Sequence, residues 1–206
     1  MSENDTIRAW FHDASDGFVA TVAEVDPREW ERESLGVWTL RSLVGHTSRA
    51  LSTVERAIDG AAPDAAVELE SPAAYLRATE SADDDEIAER GRRSGDELGD
   101  DPAAAVRVLA TRVGTLVDHT ADDLTVPIPF GTIRLVDYLA TRAFELTVHG
   151  LDVATAGGVR VPDPTTASIR HALRLAIDRA AEREEDALLL RALTGRAPLP
   201  PGFSVL

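Results

Sequence analysis

The sequence predicts an all-α protein built around an antiparallel four-helix bundle with a short helical carboxy-terminal extension. Apolar residues recur at helical spacing in long stretches, and Ser, Thr or Asp followed by Pro or a good helix former marks several helix starts. Extended sequence is confined to one short segment, 124–133.

The first helix is expected over about residues 4–25, closed by Asp26 and Pro27, with Ile7, Trp10, Phe11, Phe18 and Val22 on its core face. A loop carrying Trp30 and Trp38 leads to Thr39, a good N-cap. The second helix runs from there to about Asp59, where Gly60 stops it. After a polar, proline-containing stretch, Ser71 and Pro72 open further helical sequence through about Leu98. Asp101 and Pro102 open the next helix, through Asp118. Residues LTVPIPFGTI read as either a short hairpin or an ordered loop over the mouth of the bundle. A helix carrying Glu145 follows, and Gly157 with Gly158 break it. Helices over about 165–181 and on to Ala192 complete the chain. This divides it into a bundle, 1–156, and an extension, 157–206, which at about 50 residues is marginal alone and is expected to pack on the bundle. The first helix and those bearing His46 and Glu145 are expected to touch, with ligands from different helices meeting at one end of the core.

Composition narrows the function. The 206 residues are 44% hydrophobic, contain no cysteine, and have no apolar run long enough to span a membrane. The opening MSENDTIRAWFHDASDG lacks the basic start and apolar core of a signal peptide, so a cytoplasmic location is expected, as monomer or homodimer. The 36 acidic residues outnumber 21 basic ones, all arginine, for a net charge of −15, which repels phosphate backbones and argues against nucleic acid. Without cysteine, any thiol chemistry requires a small-molecule thiol.

The chemistry-bearing pattern lies on two stretches, WTLRSLVGHTSRAL with His46 and YLATRAFELTVHGLDVA with Glu145 and His149. Residues four apart stand on one helix face, so Glu145 and His149 can close on one divalent ion, and His46 completes two imidazoles and a carboxylate. Such a set satisfies zinc and leaves a position open for a reacting ligand, although iron, nickel or manganese could use it too. A helical wheel gathers Arg142, Glu145, His149 and Asp152 on one stripe flanked by Leu139, Phe144, Leu146, Val148, Leu151 and Val153, as on a buried helix with a polar line facing a cavity. The competing expectation is a solvent face with surface pairs worth about 0.3 kcal/mol each. His46 sits at the margin of the stripe Leu40, Leu43, Val44, Leu51, Val54 and Ile58, where a lone histidine is more often a hydrogen-bonded core residue. Trp38 is placed to pack beneath it.

Other features carry less. The acidic run Asp83 to Glu86 is a solvated helix start without the ligand spacing of a calcium loop. His12, His119 and His171 lack a second ligand at useful spacing, Ser48 and Ser52 lie in no nucleophile turn, and no phosphate-binding glycine loop occurs. Arg170, Arg174 and Arg179 read as a solvated face in preference to a carboxylate-binding one.

At WTLRSLVGH, at RAFELTVHGLD and at the closing LTGRAPLPPGF, the chain resembles the DinB-like metal-binding superfamily, within it the mycothiol-dependent maleylpyruvate isomerases. The resemblance covers most of the chain. It implies that His46, Glu145 and His149 bind a divalent metal, usually zinc, and that mycothiol serves as thiol cosubstrate. The extension is smaller than the carboxy-terminal domain of the two-domain isomerases, so maleylpyruvate itself is not assigned. The function expected is a metal-dependent isomerase or S-transferase in which a metal-bound thiolate attacks an electrophilic substrate. Asp152 would accept the second ring proton of His149, and Arg142 would orient Glu145 or an anionic substrate. The alternative is a non-catalytic DinB-like metal-binding or small-molecule-binding stress-response protein.

Overall fold

A computed structural model describes residues 2–61, 64–80 and 83–205. Among them the helices are α1 (Glu3–Ala23), α2 (Leu40–Asp59), α3 (Pro72–Thr79), α4 (Asp84–Glu97), α5 (Pro102–Asp118), α6 (Leu135–Gly157), α7 (Asp163–Glu182) and α8 (Asp186–Leu193). A short 3-10 turn, Pro27–Glu29, follows α1. The all-α expectation holds, with one antiparallel hairpin, β1 (Thr125–Ile128) and β2 (Gly131–Arg134), paired from Thr125 with Arg134 to Ile128 with Gly131.

The helix starts are chemically explicit. Ser2 and Asp5 form a capping box on α1, and the side chains of Thr39, Ser71, Asp83 and Asp101 accept backbone N–H bonds at the starts of α2, α3, α4 and α5. Gly60 ends α2, and α6 closes on Gly158 in the left-handed region, φ 65°. The helical stretch expected from Ser71 through Leu98 is two helices. Asp83 restarts the chain as an N-cap, its carboxylate accepting from the Glu86 amide.

The bundle is a ring of four, α1 against α6, α6 against α2, α2 against α5 and α5 against α1, which sets α1 and α2 on a diagonal. Of the contacts expected among the first helix and those bearing His46 and Glu145, α6 makes the main ones with each of the other two. Phe11, Phe18, Leu40, Leu43, Leu51, Leu135, Leu139 and Leu146 are fully buried in the middle. The α4 helix covers the outer side of α2, and α7 packs across α1 and α6. Arg8 ties the far end together. Its guanidinium donates to Asp122 Oδ1 at 2.5 Å and to the carbonyls of Val117 at 2.6 Å and Thr120 at 2.5 Å, neutralising the end of α5. Among the described residues no helix is long and apolar enough to cross a membrane.

The hairpin is held from outside by the segment before α3. The Glu68 and Leu69 amides both donate to the Thr132 carbonyl, and the Thr132 hydroxyl donates to the Ala66 carbonyl at 2.6 Å. This fixes the turn at Pro129 and Phe130 over the open end of the bundle.

Candidate functional site

Helix α6 is apolar enough to be almost wholly enclosed, yet it keeps a polar line. Leu139, Phe144, Leu146 and Val153 are buried, Val148 and Leu151 partly so, while Glu145 and His149 are half-buried and face α2. His46 stands on α2 opposite them. Each of the three offers one ligand atom, and these atoms lie within 4.8 Å of one another. His149 Nε2 is 3.4 Å from Glu145 Oε2, and the His46 ring meets the His149 ring edge-on at 4.9 Å. Two imidazoles and a carboxylate gathered at this spacing fit a borderline divalent ion such as zinc.

The supporting contacts are specific. His149 Nδ1 lies 3.0 Å from Asp152 Oδ2, one turn on, which turns Nε2 towards Glu145 and His46. Trp38 stacks on His46 with ring centroids 4.4 Å apart, as the position of its loop before α2 suggests. The indole is itself fixed from α4: Nε1 donates to the Ala88 carbonyl at 3.0 Å. A Cβ at Gly91 would stand 2.8 Å from Nε1, so the residue facing the indole has to be glycine.

Electrostatics without an ion divide the three groups. Burial alone would raise the Glu145 carboxyl, but the hydrogen bond from His149 and the charges of Arg142, His149 and His46 bring it down to about 2. Burial alone would lower the His149 imidazole, and its bonds to Asp152 and Glu145 outweigh this and raise it to about 9. His46, lacking such partners, is lowered by burial and by the His149 charge to about 4. One neutral imidazole thus faces an ion pair.

Arg142 is buried, with its guanidinium over the rings of Tyr75 and Tyr138 at 4.8 and 4.9 Å and its Nε donating to the Thr141 hydroxyl at 3.1 Å. Burial would lower its pKa, but Tyr138, Tyr75 and Glu145 together raise it. Burial pushes the Tyr75 phenol up to about 12.

The three converging residues open onto a cavity of about 970 Å3. Trp38, Arg142 and Phe130 line it, and its far rim is formed by Arg77, Glu80, Arg179, Glu182 and Arg183 of the α3 and α7 region. Arg179 is a correction to the solvated reading. It is 2% exposed, pairs with Glu80, and reaches Glu182 at 3.5 Å, while Arg77 meets the same Glu182 at 3.4 Å. Arg170 and Arg174 are exposed as expected. His12 bonds Asp118, His119 bonds the Thr115 carbonyl, and His171 stacks on Trp10, so the structure brings none of them to the site. Reasoning from sequence missed Tyr75, Phe130 and the Arg179 cluster. The signal available for Arg179 was its place in line with Ala172 and Leu175 on the packed face of α7.

Comparison with curated proteins gave no match. A solved structure, the crystal structure of the mycothiol-dependent maleylpyruvate isomerase, is similar at 17% identity over 82% of this chain and 68% of that one, with a TM-score of 0.49. The pattern of the mycothiol maleylpyruvate isomerase N-terminal domain family matches residues 11–154, more than half of the chain, from within α1 to just past Asp152. The chain belongs to that family.

Proposed function

We propose that the protein is a cytoplasmic, metal-dependent enzyme that uses a small-molecule thiol, acting as an isomerase or S-transferase on an electrophilic substrate, with His46, Glu145 and His149 as the ligands of a divalent ion, zinc by preference. The observation that carries this reading is the convergence of those three side chains at the wall of the 970 Å3 cavity, with space on the side away from the protein. Family membership supports it, and mycothiol is the thiol the family's description names.

A divalent ion held by His46, Glu145 and His149 would supply Lewis acidity that lowers the pKa of a bound thiol. The chain's own residues do the rest. Asp152 accepts a hydrogen bond from the Nδ1–H of His149, which keeps the proton on Nδ1 and leaves the Nε2 lone pair for an ion. Trp38 holds the His46 ring by stacking. Arg142, locked between two tyrosines, places a fixed positive charge beside Glu145 and the cavity. With no cysteine in the chain, the nucleophile comes from the thiol cosubstrate.

The test has two parts. Plasma mass spectrometry of the purified protein should find about one equivalent of a divalent metal, lost in His149→Ala. The metal-loaded protein should then consume an electrophile such as a maleyl compound only when mycothiol is supplied. A protein that stays metal-free when zinc is supplied overturns the ligand assignment. Metal without thiol-dependent turnover supports a non-catalytic binding protein instead.

A further inference from the structure

Beside the three converging residues there is a smaller recess of about 170 Å3, which shares His46 and Glu145 with the main cavity. Arg49 of α2, Arg90 of α4 and Arg142 of α6 wall it, and Tyr75 and Phe130 cover it. Three guanidiniums therefore border a space with one carboxylate, Glu145, and that carboxylate is already engaged by His149.

The contrast with the opposite rim is informative. There Arg77, Arg179 and Arg183 are matched by Glu80, Glu182 and Glu185. In the recess, Arg90 has, among the described residues, a single carboxylate contact, 3.4 Å to the exposed Glu86, and Arg142 rests on tyrosine faces near Glu145. Arg49 is half-buried and, among the described residues, has no carboxylate within ion-pair distance. Burial, together with the charges of Arg56 and Arg90, lowers its pKa from the usual arginine value, against the opposing influence of Tyr138 and Glu97. A chain of net charge −15 has ample carboxylates to neutralise such a cluster, yet among the described residues Glu145 is the one carboxylate lining the recess, and none pairs with Arg49. A half-buried guanidinium without an ion-pair partner, such as that of Arg49, is costly to hold, and an entering oxyanion relieves that cost through charge-assisted, bidentate hydrogen bonds.

We propose that this recess is an anion subsite, in which Arg49, together with Arg90 and Arg142, receives a compact carboxylate borne by the electrophilic substrate. The recess admits a carboxylate with a few carbon atoms, whose apolar part meets Phe130, Pro129 and Ala50, and it leaves the larger cavity to the bulkier thiol. The word substrate rests on the function proposed above. Carboxylate binding itself rests only on the arginines.

The probe is sodium propionate, compared with uncharged propionamide and with inorganic phosphate at constant ionic strength, followed by NMR titration of the whole protein. The proposal expects propionate to bind at least ten-fold more tightly than propionamide and phosphate. It also expects Arg49→Gln and, separately, the more exposed Arg90→Gln to weaken propionate about ten-fold, with amide spectra otherwise native, while Arg28→Gln on the far surface changes nothing. Equal binding of propionate and propionamide, preference for phosphate, or unchanged affinity in both variants overturns it. The His149→Ala variant separates this failure from that of the metal reading. Propionate binding that vanishes in His149→Ala but survives Arg49→Gln places the carboxylate on the metal and overturns the subsite alone. Arg49-dependent binding in a protein that takes up no zinc upholds the subsite and overturns the metal assignment alone.

Discussion

His149 Nδ1 and Asp152 Oδ2 stand 3.0 Å apart on successive turns of α6, so the orientation of the imidazole is set within the helix that carries it. A carboxylate holding one ring nitrogen leaves the other as the better donor to an ion. Asp152→Asn should therefore lower zinc affinity by about 10- to 100-fold while the far-ultraviolet spectrum stays unchanged. Competition titration with a chelator checks it, and unaltered affinity would remove Asp152 from the site.

Gly91 is the point at which α4 reports on the site. An alanine there would crowd the Trp38 indole, whose nearest atoms would stand 2.8 and 2.9 Å from the new Cβ. Gly91→Ala should cost about 1–3 kcal/mol in urea denaturation. It should also change the near-ultraviolet signal of Trp38 and weaken metal binding through the loosened stack on His46. Retention of all three native values would show that the indole contact is incidental.

Arg179 joins the extension to the region before α4 through Glu80, and is held on its own helix by Glu182. Arg179→Ala removes the buried member of the cluster, leaving Glu80 only the longer contact with Arg183 and Glu182 that with Arg77, and should destabilise the fold by about 2 kcal/mol. Hydrogen exchange should speed up selectively in α3 and α7. Uniform exchange across the protein would contradict this anchoring role.

Asp26 provides a pH prediction away from the site. The side-chain and backbone hydrogen bonds from Arg28 hold its carboxyl down at about 2, against an ordinary 3.8. A depressed folded-state pKa stabilises the fold fully above the ordinary value, and the contribution is lost as pH falls through the folded one. The effect should therefore be confined to pH below about 4 and be small, because the pair is exposed. Carbon-detected NMR titration of Asp26 should move towards 3.8 in Arg28→Ala. No movement would mean that the pair does not form in solution.

Much of this was open to reading from the chain. Thr39 and Gly60 bracket α2 as their capping chemistry implies, and the four-residue spacing of Glu145 and His149 places them together on α6. The convergence with His46 follows once α2 and α6 are neighbours. What stayed hidden depends on partners remote in sequence. Nothing local shows that Arg179 meets Glu80, 99 positions away, or that the Phe130 turn comes to lie edge-on to Tyr75 at 6.0 Å. Helix α3 is too short for its periodicity to show which face is packed, so the roof it helps to build over Arg142 had no signature in the sequence.

The cavity draws its floor and its rim from different stretches of chain. His46, Glu145 and His149 belong to α2 and α6, whereas Arg77 belongs to α3 and Arg179 to α7, with Glu80 and Arg183 following directly after those two helices. Mutational drift at the rim can thus alter which molecules are admitted while the floor stays intact. A scaffold divided in this way lets the cavity's selectivity change by exchanges at Arg77, Glu80, Arg179 or Arg183 while His46, Glu145 and His149 are kept.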